Sequence, residues 1–169
     1  KIYSHMEDMV EKRTEELQAS QKILEQKGRE LQVMLDASPA LIFYKDQNQR
    51  FIRVNKKFAE TLGVPIQDII GQSYKEIFPD KNQHGLEDDL TVMQEDKPIY
   101  RKHEPLETAF GTRQILIDRL PYRNGAPDSV GLVGFAQDVT ELKQAEQENE
   151  ELEAQLRQAQ KMESIGILA

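Results

Sequence analysis

The sequence predicts an α+β domain, an antiparallel sheet with helices on one face, placed between two long flanking helices. Three observations support this fold class. Residues 1–35 contain no proline and one glycine, so a single helix can run through them. Residues 40–137 hold two strand-like runs, several short capped segments and three further strand-like runs, an order typical of an α+β sheet. Residues 139–169 again lack proline and carry apolar residues at helical spacing.

The N-terminal segment has an apolar residue at every seventh position. These residues are Tyr3, Val10, Leu17, Leu24 and Leu31. The other core position of the same heptads is polar in its middle and reads Met6, Arg13, Ser20, Lys27 and Met34. One good and one poor core position predict a weak coiled coil. A lone amphipathic helix packed on its own domain is the alternative.

The C-terminal segment opens with Asp138 and Glu141 at the spacing of a capping box, which predicts a helix start. Its core positions alternate at spacings of three and four. They are Leu142, Ala145, Asn149, Leu152, Leu156 and Ala159. One asparagine at a core position favours a fixed register and a two-stranded coiled coil. The apolar residues that follow, Met162, Ile165 and Leu168, are out of phase, which predicts a local change in winding.

The first strands of the middle segment follow the proline that ends the N-terminal helix, Pro39. Ala40–Tyr44 is an apolar run and predicts a strand. Phe51–Val54 predicts a second strand, and Asp46–Gln49 predicts the turn between them. We expect Asn48 to take the left-handed conformation in that turn, because asparagine tolerates it.

Short helices are predicted after the hairpin. Asn55 is a capping residue, and the helix it begins ends before Gly63. Pro65 suits the first turn of a second helix, which ends at Gly71. Ser73–Glu76 has the spacing of a capping box and predicts a third helix.

A longer helix and three strands complete the middle segment. Asp80 is expected to cap the helix and Pro98 to end it. Its predicted apolar face consists of Leu86, Leu90 and Met93. The predicted strands are Ile99–Thr108, Arg113–Tyr122 and Val130–Gln137. Asn124, Gly125 and Pro127 predict a turn between the last two strands.

Several short motifs follow one another over roughly Gln32 to Glu146. They are Leu35–Pro39 at the start, Arg53–Phe58 between second strand and first core helix, Asp68–Gly71 at the end of the next helix, Asp89–Met93 with Lys97-Pro98 in the long helix, and Gly131–Thr140 in the last strand and its exit. In this order and at these spacings the motifs resemble those of PAS domains. The resemblance implies a PAS fold: a five-stranded antiparallel sheet wrapped around a small cavity, with helices across its concave face.

The two flanking segments resemble chains of membrane-anchored histidine kinases. Met9–Leu17 is similar to the segment that follows a membrane or relay domain in such kinases. Gln160–Ala169 is similar to the start of their dimerisation and phosphoacceptor helix. The resemblance therefore implies three parts: a signalling helix over residues 1–35, a PAS sensor over 36–138, and a helix over 139–169 that leads into a kinase domain. It implies the cytoplasmic part of a membrane-anchored bacterial protein.

The function implied by this resemblance is a sensory and dimerisation module of a two-component histidine kinase. Signals would pass from the PAS core through the junction residues Asp138, Thr140 and Glu141 into the C-terminal helix. The partners implied are a second copy of the chain and the kinase domains of the same parent chain. The residues expected in the dimer helices are Val10, Leu17, Leu24, Leu31, Leu142, Asn149, Leu152 and Leu156. A ligand-free scaffold that only sets dimer geometry is an alternative.

Composition excludes several classes of chemistry. The formal net charge of −8 opposes binding to nucleic acid. The absence of cysteine excludes disulfides, thiolate metal sites, flavin adducts with cysteine and thioester-linked chromophores. No nucleophile–base pair or phosphate-binding glycine loop is visible, so we predict no catalytic residues and no enzyme activity for this chain.

No cofactor is predicted, and haem and flavin are the two alternatives. His84 lies near the position where haem-binding PAS domains place their axial ligand, so a haem-binding gas or redox sensor is a second alternative. Its competing interpretation is an exposed histidine at a polar helix start. Non-covalent flavin usually needs stacking aromatic residues, and the chain has no tryptophan. The three histidines lack the spacing of a metal site, so no metal is predicted.

A cavity for an unknown small molecule is expected inside the sheet. Its predicted lining is Ile42, Tyr44, Ile52, Phe58, Leu90, Met93, Ile115, Ile117 and Phe135. The competing interpretation is a filled core in which these side chains pack against each other. Arg113 and Arg119 lie on a predicted strand and could reach an anionic ligand, but arginines at such positions more often face solvent.

Overall fold

The structure of the chain is a computed structural model. It describes residues 1–123, 125 and 130–168, with the side chain of Leu168 left out. Asn124 and Pro127 of the predicted turn lie outside the described residues. The chain divides into two compact units, Lys1–Pro39 and Ala40–Ala169.

The first unit is one helix, α1, which spans Ile2–Asp36. At 1.5 Å per residue its 35 residues extend for about 50 Å. The helix ends where proline predicts, and the backbone N–H of Ala37 donates to the carbonyl of Val33. The predicted N-terminal helix is confirmed to within a residue at each end.

The second unit contains a five-stranded antiparallel sheet. Its strands in chain order are β1 Leu41–Lys45, β2 Phe51–Val54, β3 Ile99–Thr108, β4 Gly111–Arg123 and β5 Val130–Asp138. They lie side by side in the order β2-β1-β5-β4-β3. The last strand therefore sits in the centre, paired with β1 and β4, as the apolar composition of β5 predicts.

Five helices belong to the second unit. They are α2 Lys56–Leu62, α3 Ile66–Ile69, α4 Tyr74–Ile77, α5 Leu86–Glu95 and α6 Thr140–Leu168. The predicted caps of the first and third of these are confirmed. Asn55 accepts a hydrogen bond from the backbone N–H of Phe58, and Gly63 ends α2 in the left-handed conformation. Ser73 and Glu76 form the predicted capping box of α4.

Two local predictions are wrong. The longer helix begins at Leu86 after a left-handed Gly85, and not at Asp80. In the hairpin turn the left-handed residue is Gln49 and not Asn48. Asp46 explains the second difference, because its Oδ1 accepts from the backbone N–H groups of Asn48 and Arg50 and so closes the turn around residue 49.

The hydrophobic core lies between one face of the sheet and the helices α2 to α5. The strands supply Leu41, Phe43, Phe51, Val54, Ile115, Ile117, Leu132 and Ala136, and the helices and their connections supply Phe58, Ala59, Leu62, Ile69, Tyr74, Phe78 and Val92. The predicted fold class, an α+β antiparallel sheet with short helices on one face and a long helix before and after it in the chain, is confirmed.

Candidate functional site

The most unusual feature of the core is a buried carboxylate between two buried cations. Asp89, on α5, places its Oδ2 2.7 Å from Nζ of Lys45 on β1 and its Oδ1 2.6 Å from Nε of Arg119 on β4. The side chains of all three residues are at most 6% exposed. Buried charges persist only where they are paired and hydrogen-bonded, and this trio meets that condition.

Arg119 extends the cluster towards β3. Its Nη2 lies 2.6 Å from Oε1 of Glu104, and its Nη1 lies 4.0 Å from Oδ2 of Asp88. Burial by itself would lower the pKa of Arg119, but the hydrogen bond to Glu104 and the charges of Asp89 and Glu104 outweigh it and raise the pKa. Arg119 therefore carries its charge throughout the working pH range. The sequence-based expectation that Arg119 faces solvent is wrong.

Two polar atoms of this buried cluster have no hydrogen-bond partner among the described residues. They are Nη1 of Arg119 and Oε2 of Glu104. Both belong to side chains that are at least nine-tenths buried. An unpaired buried donor or acceptor costs about 1–3 kcal/mol, so such atoms usually meet a water or a ligand.

A cavity of about 40 Å³ is lined in part by Arg119 and Glu104, the residues that carry these atoms. Its apolar lining residues are Leu41, Phe43, Phe51, Phe58, Pro105, Leu106, Ile115, Ile117 and Ala136. Its polar lining residues are Lys45, Tyr74, Gln83, His84, Asp89, Glu104, Glu107 and Arg119. The volume corresponds to about three water molecules.

A glycine lets the start of α5 approach the cluster. Gly85 has a φ of +73°, and a Cβ added to it would lie 1.9 Å from Nη2 of Arg119 and 2.8 Å from both carboxylate oxygens of Glu104. Any side chain there would displace the ion pair. Glycine is therefore required by both backbone conformation and space.

The predicted cavity lining is partly right. Phe58, Ile115 and Ile117 line the cavity. The other six predicted residues, Ile42, Tyr44, Ile52, Leu90, Met93 and Phe135, do not. Successive strand residues point to opposite faces, and β1, β2 and β5 present the face opposite to the one predicted. On α5, Asp89 and Val92 are buried, Leu90 is 39% exposed and Met93 packs partly buried against the core, so the predicted apolar face is wrong at Leu90 and right at Met93.

His84 borders the cavity, as the haem hypothesis requires. The volume does not fit the cofactor, since ligand pockets of even drug-sized molecules measure about 300–1,000 Å³. A cavity of this volume is too small for haem or flavin.

A second polar cluster joins the sheet to α6 and is called the junction here. It consists of Arg113, Gln114, Asp138 and Thr140. Oδ1 of Asp138 accepts from the backbone N–H of Thr140 at 3.0 Å and from its hydroxyl at 2.5 Å, and Oδ2 accepts from Nε of Arg113 at 2.7 Å. The Thr140 hydroxyl oxygen in turn accepts from the backbone N–H of Gln114 at 2.8 Å. The start of β4, the end of β5 and the first residue of α6 are thereby linked.

Electrostatics keep this junction ionised. Burial alone would raise the pKa of the Asp138 carboxyl, but hydrogen bonds from Thr140 and the Arg113 guanidinium hold that pKa below its usual range. The predicted role of Asp138 as an N-cap is wrong, because α6 begins at Thr140 and Asp138 lies two residues earlier. Glu141 is an exposed residue in the first turn of α6.

The strand β4 carries both polar clusters. Arg113, Ile115, Ile117 and Arg119 alternate along it and share one face. Arg113 reaches the junction and Arg119 reaches the buried charges, while the two isoleucines line the cavity. At 3.3 Å per residue the two arginines are about 20 Å apart along the strand.

The predicted dimer residues lie on exposed helix faces. In α1, Val10, Leu17, Leu24 and Leu31 are between 46% and 69% exposed. In α6, Leu142, Leu152 and Leu156 are 59–63% exposed, and Asn149 is exposed as well. Pairing of these helices between two chains stays a prediction.

The chain belongs to the PAS family. The sequence pattern of that family, described as the PAS fold, matches residues 35–144. A PAS domain is a regulatory and not a catalytic fold. No curated protein matches the sequence of the chain.

Solved structures agree with this assignment. The PAS domain of Bordetella pertussis BvgS is 21% identical with a TM-score of 0.56, over 77% of this chain and 98% of that one. An RNA-binding light-oxygen-voltage receptor is 17% identical with a TM-score of 0.57, over 76% and 37% of the two chains. The Vibrio cholerae VqmA dimer is 20% identical with a TM-score of 0.56, over 67% and 52%. Identities this low establish the shared fold.

Within the described ranges, no helix has the length and apolar character needed to cross a membrane. The same residues contain no group of three or more histidine, aspartate and glutamate side chains arranged for a metal ion.

Proposed function

We propose that the chain is the sensory and dimerisation module of a protein-histidine kinase, in which the PAS core controls the orientation of α6 through the junction. The single observation that carries this proposal is the position of Asp138. Asp138 is the last residue of β5, and its carboxylate binds β4 through Arg113 and the start of α6 through Thr140. A shift of β4 relative to β5 would therefore move the start of α6.

The junction has the energetic character of a switch. The Arg113 side chain is 37% exposed and that of Asp138 is 16% exposed. Partly exposed ion pairs contribute about 0–1 kcal/mol, so this one can break and re-form at low cost. A two-state output needs a contact that can break at low cost, because a ligand shifts the equilibrium between two states only by the difference in its affinity for them.

Dimerisation is the second part of the proposal. The apolar heptad residues of α1 and the three-four spacing in α6 suit parallel pairing with a second copy of the chain. The phase slip after Ala159 supplies a place where two packings of similar energy can exchange. The partners proposed are a second copy and the kinase domains of a longer parent chain, and the location proposed is the cytoplasmic side of a membrane-anchored bacterial protein.

The competing function is a ligand-free scaffold that only sets dimer geometry. The small volume of the cavity, about 40 Å³, favours it. The response to a signal separates the two functions. If the domain only sets dimer geometry, a substitution in it would change the rate of the kinase and leave the response of the kinase to the signal unchanged.

The test is Asp138→Ala in the parent kinase, or in a chimera that joins residues 1–168 to the helices of a known kinase. We expect autophosphorylation to become insensitive to the signal, while the circular dichroism spectrum of the chain stays that of a folded protein. Glu146→Ala is the matched control, since it removes one carboxylate from an exposed position in α6. Unchanged regulation in Asp138→Ala would contradict the relay.

A further inference from the structure

We propose that the polar end of the cavity binds a small molecule of no net charge that carries a hydrogen-bond acceptor beside a donor, as a small amide does. This inference rests on the proposed sensory function and names the chemical class of its input. The ligand would accept from Nη1 of Arg119 and donate to Oε2 of Glu104, the two atoms of the buried cluster that lack hydrogen-bond partners among the described residues.

The charge of the site selects a neutral ligand. The cations Lys45 and Arg119 are balanced by the anions Asp89 and Glu104. Asp88, whose Oδ2 lies 4.0 Å from Nη1 of Arg119, is balanced by Lys102. Glu107 also belongs to the lining, but its carboxylate accepts from the Thr112 hydroxyl in an exposed hydrogen bond, where water screens its charge. A ligand with net charge would place one uncompensated charge in a buried site, where the loss of hydration is costly.

The donor and the acceptor that lack hydrogen-bond partners belong to two side chains that are bonded to each other. Nη1 shares its guanidinium with Nη2, and Oε2 shares its carboxylate with Oε1. Since Nη2 and Oε1 are only 2.6 Å apart, each of the two atoms is two covalent bonds from one end of the same hydrogen bond. A single small molecule can therefore reach both.

Size and polarity narrow the class further. About 40 Å³ holds roughly three water molecules or a ligand of a few non-hydrogen atoms. The apolar lining of the cavity includes Leu41, Ile115 and Ile117 with three phenylalanines, so a methyl or methylene group of the ligand can pack against these side chains. Acetamide has this size, one acceptor, donors and a methyl group.

The experiment titrates the chain with acetamide and with acetate, and follows the Nε–Hε signal of Arg119 and the methyl signals of Ile115 and Ile117 by NMR. Acetate has the same shape and carries a negative charge. We expect saturable shifts from acetamide in the millimolar range, which is within the limit for so small a ligand, and about tenfold weaker binding of acetate.

The decisive variant is Glu104→Gln. Its amide oxygen can keep the bond to Nη2 of Arg119, while its NH₂ group replaces the free acceptor by a donor. The site then carries one net positive charge and two donors. We expect the preference to reverse, with acetate binding about tenfold more tightly than acetamide.

A pair of glycine variants tests the position of the site. Gly85→Ala adds a methyl group against Arg119 and Glu104, and we expect acetamide binding to weaken about tenfold. Gly71→Ala is the matched control, because Gly71 has a similar φ of +83° but open space around an added Cβ. Backbone strain is thus alike in both, and Gly71→Ala should bind acetamide as the unaltered chain does.

Three results would overturn the inference: no saturable binding of either probe, which would leave ordered water as the occupant; equal binding of both; or an unchanged preference in Glu104→Gln. If Gly85→Ala does not fold, the reversal in Glu104→Gln still decides. Binding is measured without any kinase, so failure of the relay leaves this result intact, and failure of binding leaves the Asp138→Ala test intact.

Discussion

The two ends of the inward face of β4 hold arginine–carboxylate pairs of very different character. At one end, Arg119 and Asp89 are each only 3% exposed and share the site with Lys45. At the other end, Arg113 is 37% exposed and Asp138 is 16% exposed. Removing one partner of a buried pair leaves an uncompensated charge in the core, whereas a partly exposed pair can rely on water. One cluster is therefore suited to holding the sheet and α5 together, and the other to opening.

The largest expected effect breaks the buried end. Asp89→Ala leaves Lys45 and Arg119 buried without their shared carboxylate, and we expect the free energy of unfolding to fall by about 3–5 kcal/mol. Urea denaturation of the purified chain measures this loss. Asp88→Ala is the control on the same helix turn, and should cost less than about 1 kcal/mol because its partner Lys102 is half-exposed and its contact with Nη1 of Arg119 is as long as 4.0 Å.

The size of the Asp89→Ala effect also tests whether the three buried charges act as a unit. If the variant lost as little stability as Asp88→Ala, water would have to reach Lys45 and Arg119 in the native state. The contrast between the two ends of β4 would then disappear, together with the charge argument for a neutral ligand.

A smaller effect is expected at the junction. A double-mutant cycle of Arg113→Ala and Asp138→Ala should give a coupling of about 0.2–1 kcal/mol, as expected for a partly exposed ion pair. Asp138→Ala alone should cost about 1 kcal/mol more than that coupling, because it also removes the bonds from Thr140. Urea denaturation of the unaltered chain, the two single variants and the double variant gives these values. A coupling as large as the loss of stability in Asp89→Ala would mean that the junction is held as firmly as the buried cluster, and the contrast between the two ends of β4 would disappear.

The same contrast explains what sequence patterns could and could not predict. The caps at Asn55 and Ser73 join residues three apart, so their signals lie within a few letters of sequence. The partners of Asp89 are 44 and 30 residues away, on different strands. No local pattern distinguishes this buried aspartate from the acidic, solvated residues around it on α5.

The face of β1 shows a second physical reason. Its sequence is apolar from Leu41 to Tyr44 and residues of both faces are buried, so alternation gives no indication of which side faces the cavity. Lys45, the polar residue that would ordinarily mark the outer face, points inward because Asp89 neutralises it. The cavity was therefore predicted in the right part of the fold with the wrong residues from β1.

The smallest effect concerns the pH dependence of the junction. Hydrogen bonds from Thr140 and Arg113 lower the pKa of Asp138 in the folded chain despite its partial burial. A carboxyl whose pKa is lower in the folded than in the unfolded state stabilises the fold above its unfolded pKa of about 3.9, and this contribution disappears as the pH falls through the lowered value. We expect the side-chain carboxyl ¹³C signal of Asp138 to titrate with a midpoint below about 3.9. In Arg113→Ala the midpoint should rise towards that value, since one of the causes of the shift is gone. An unshifted midpoint in the unaltered chain would mean that the junction is already open in solution, and α6 would then be uncoupled from β4 before any ligand binds.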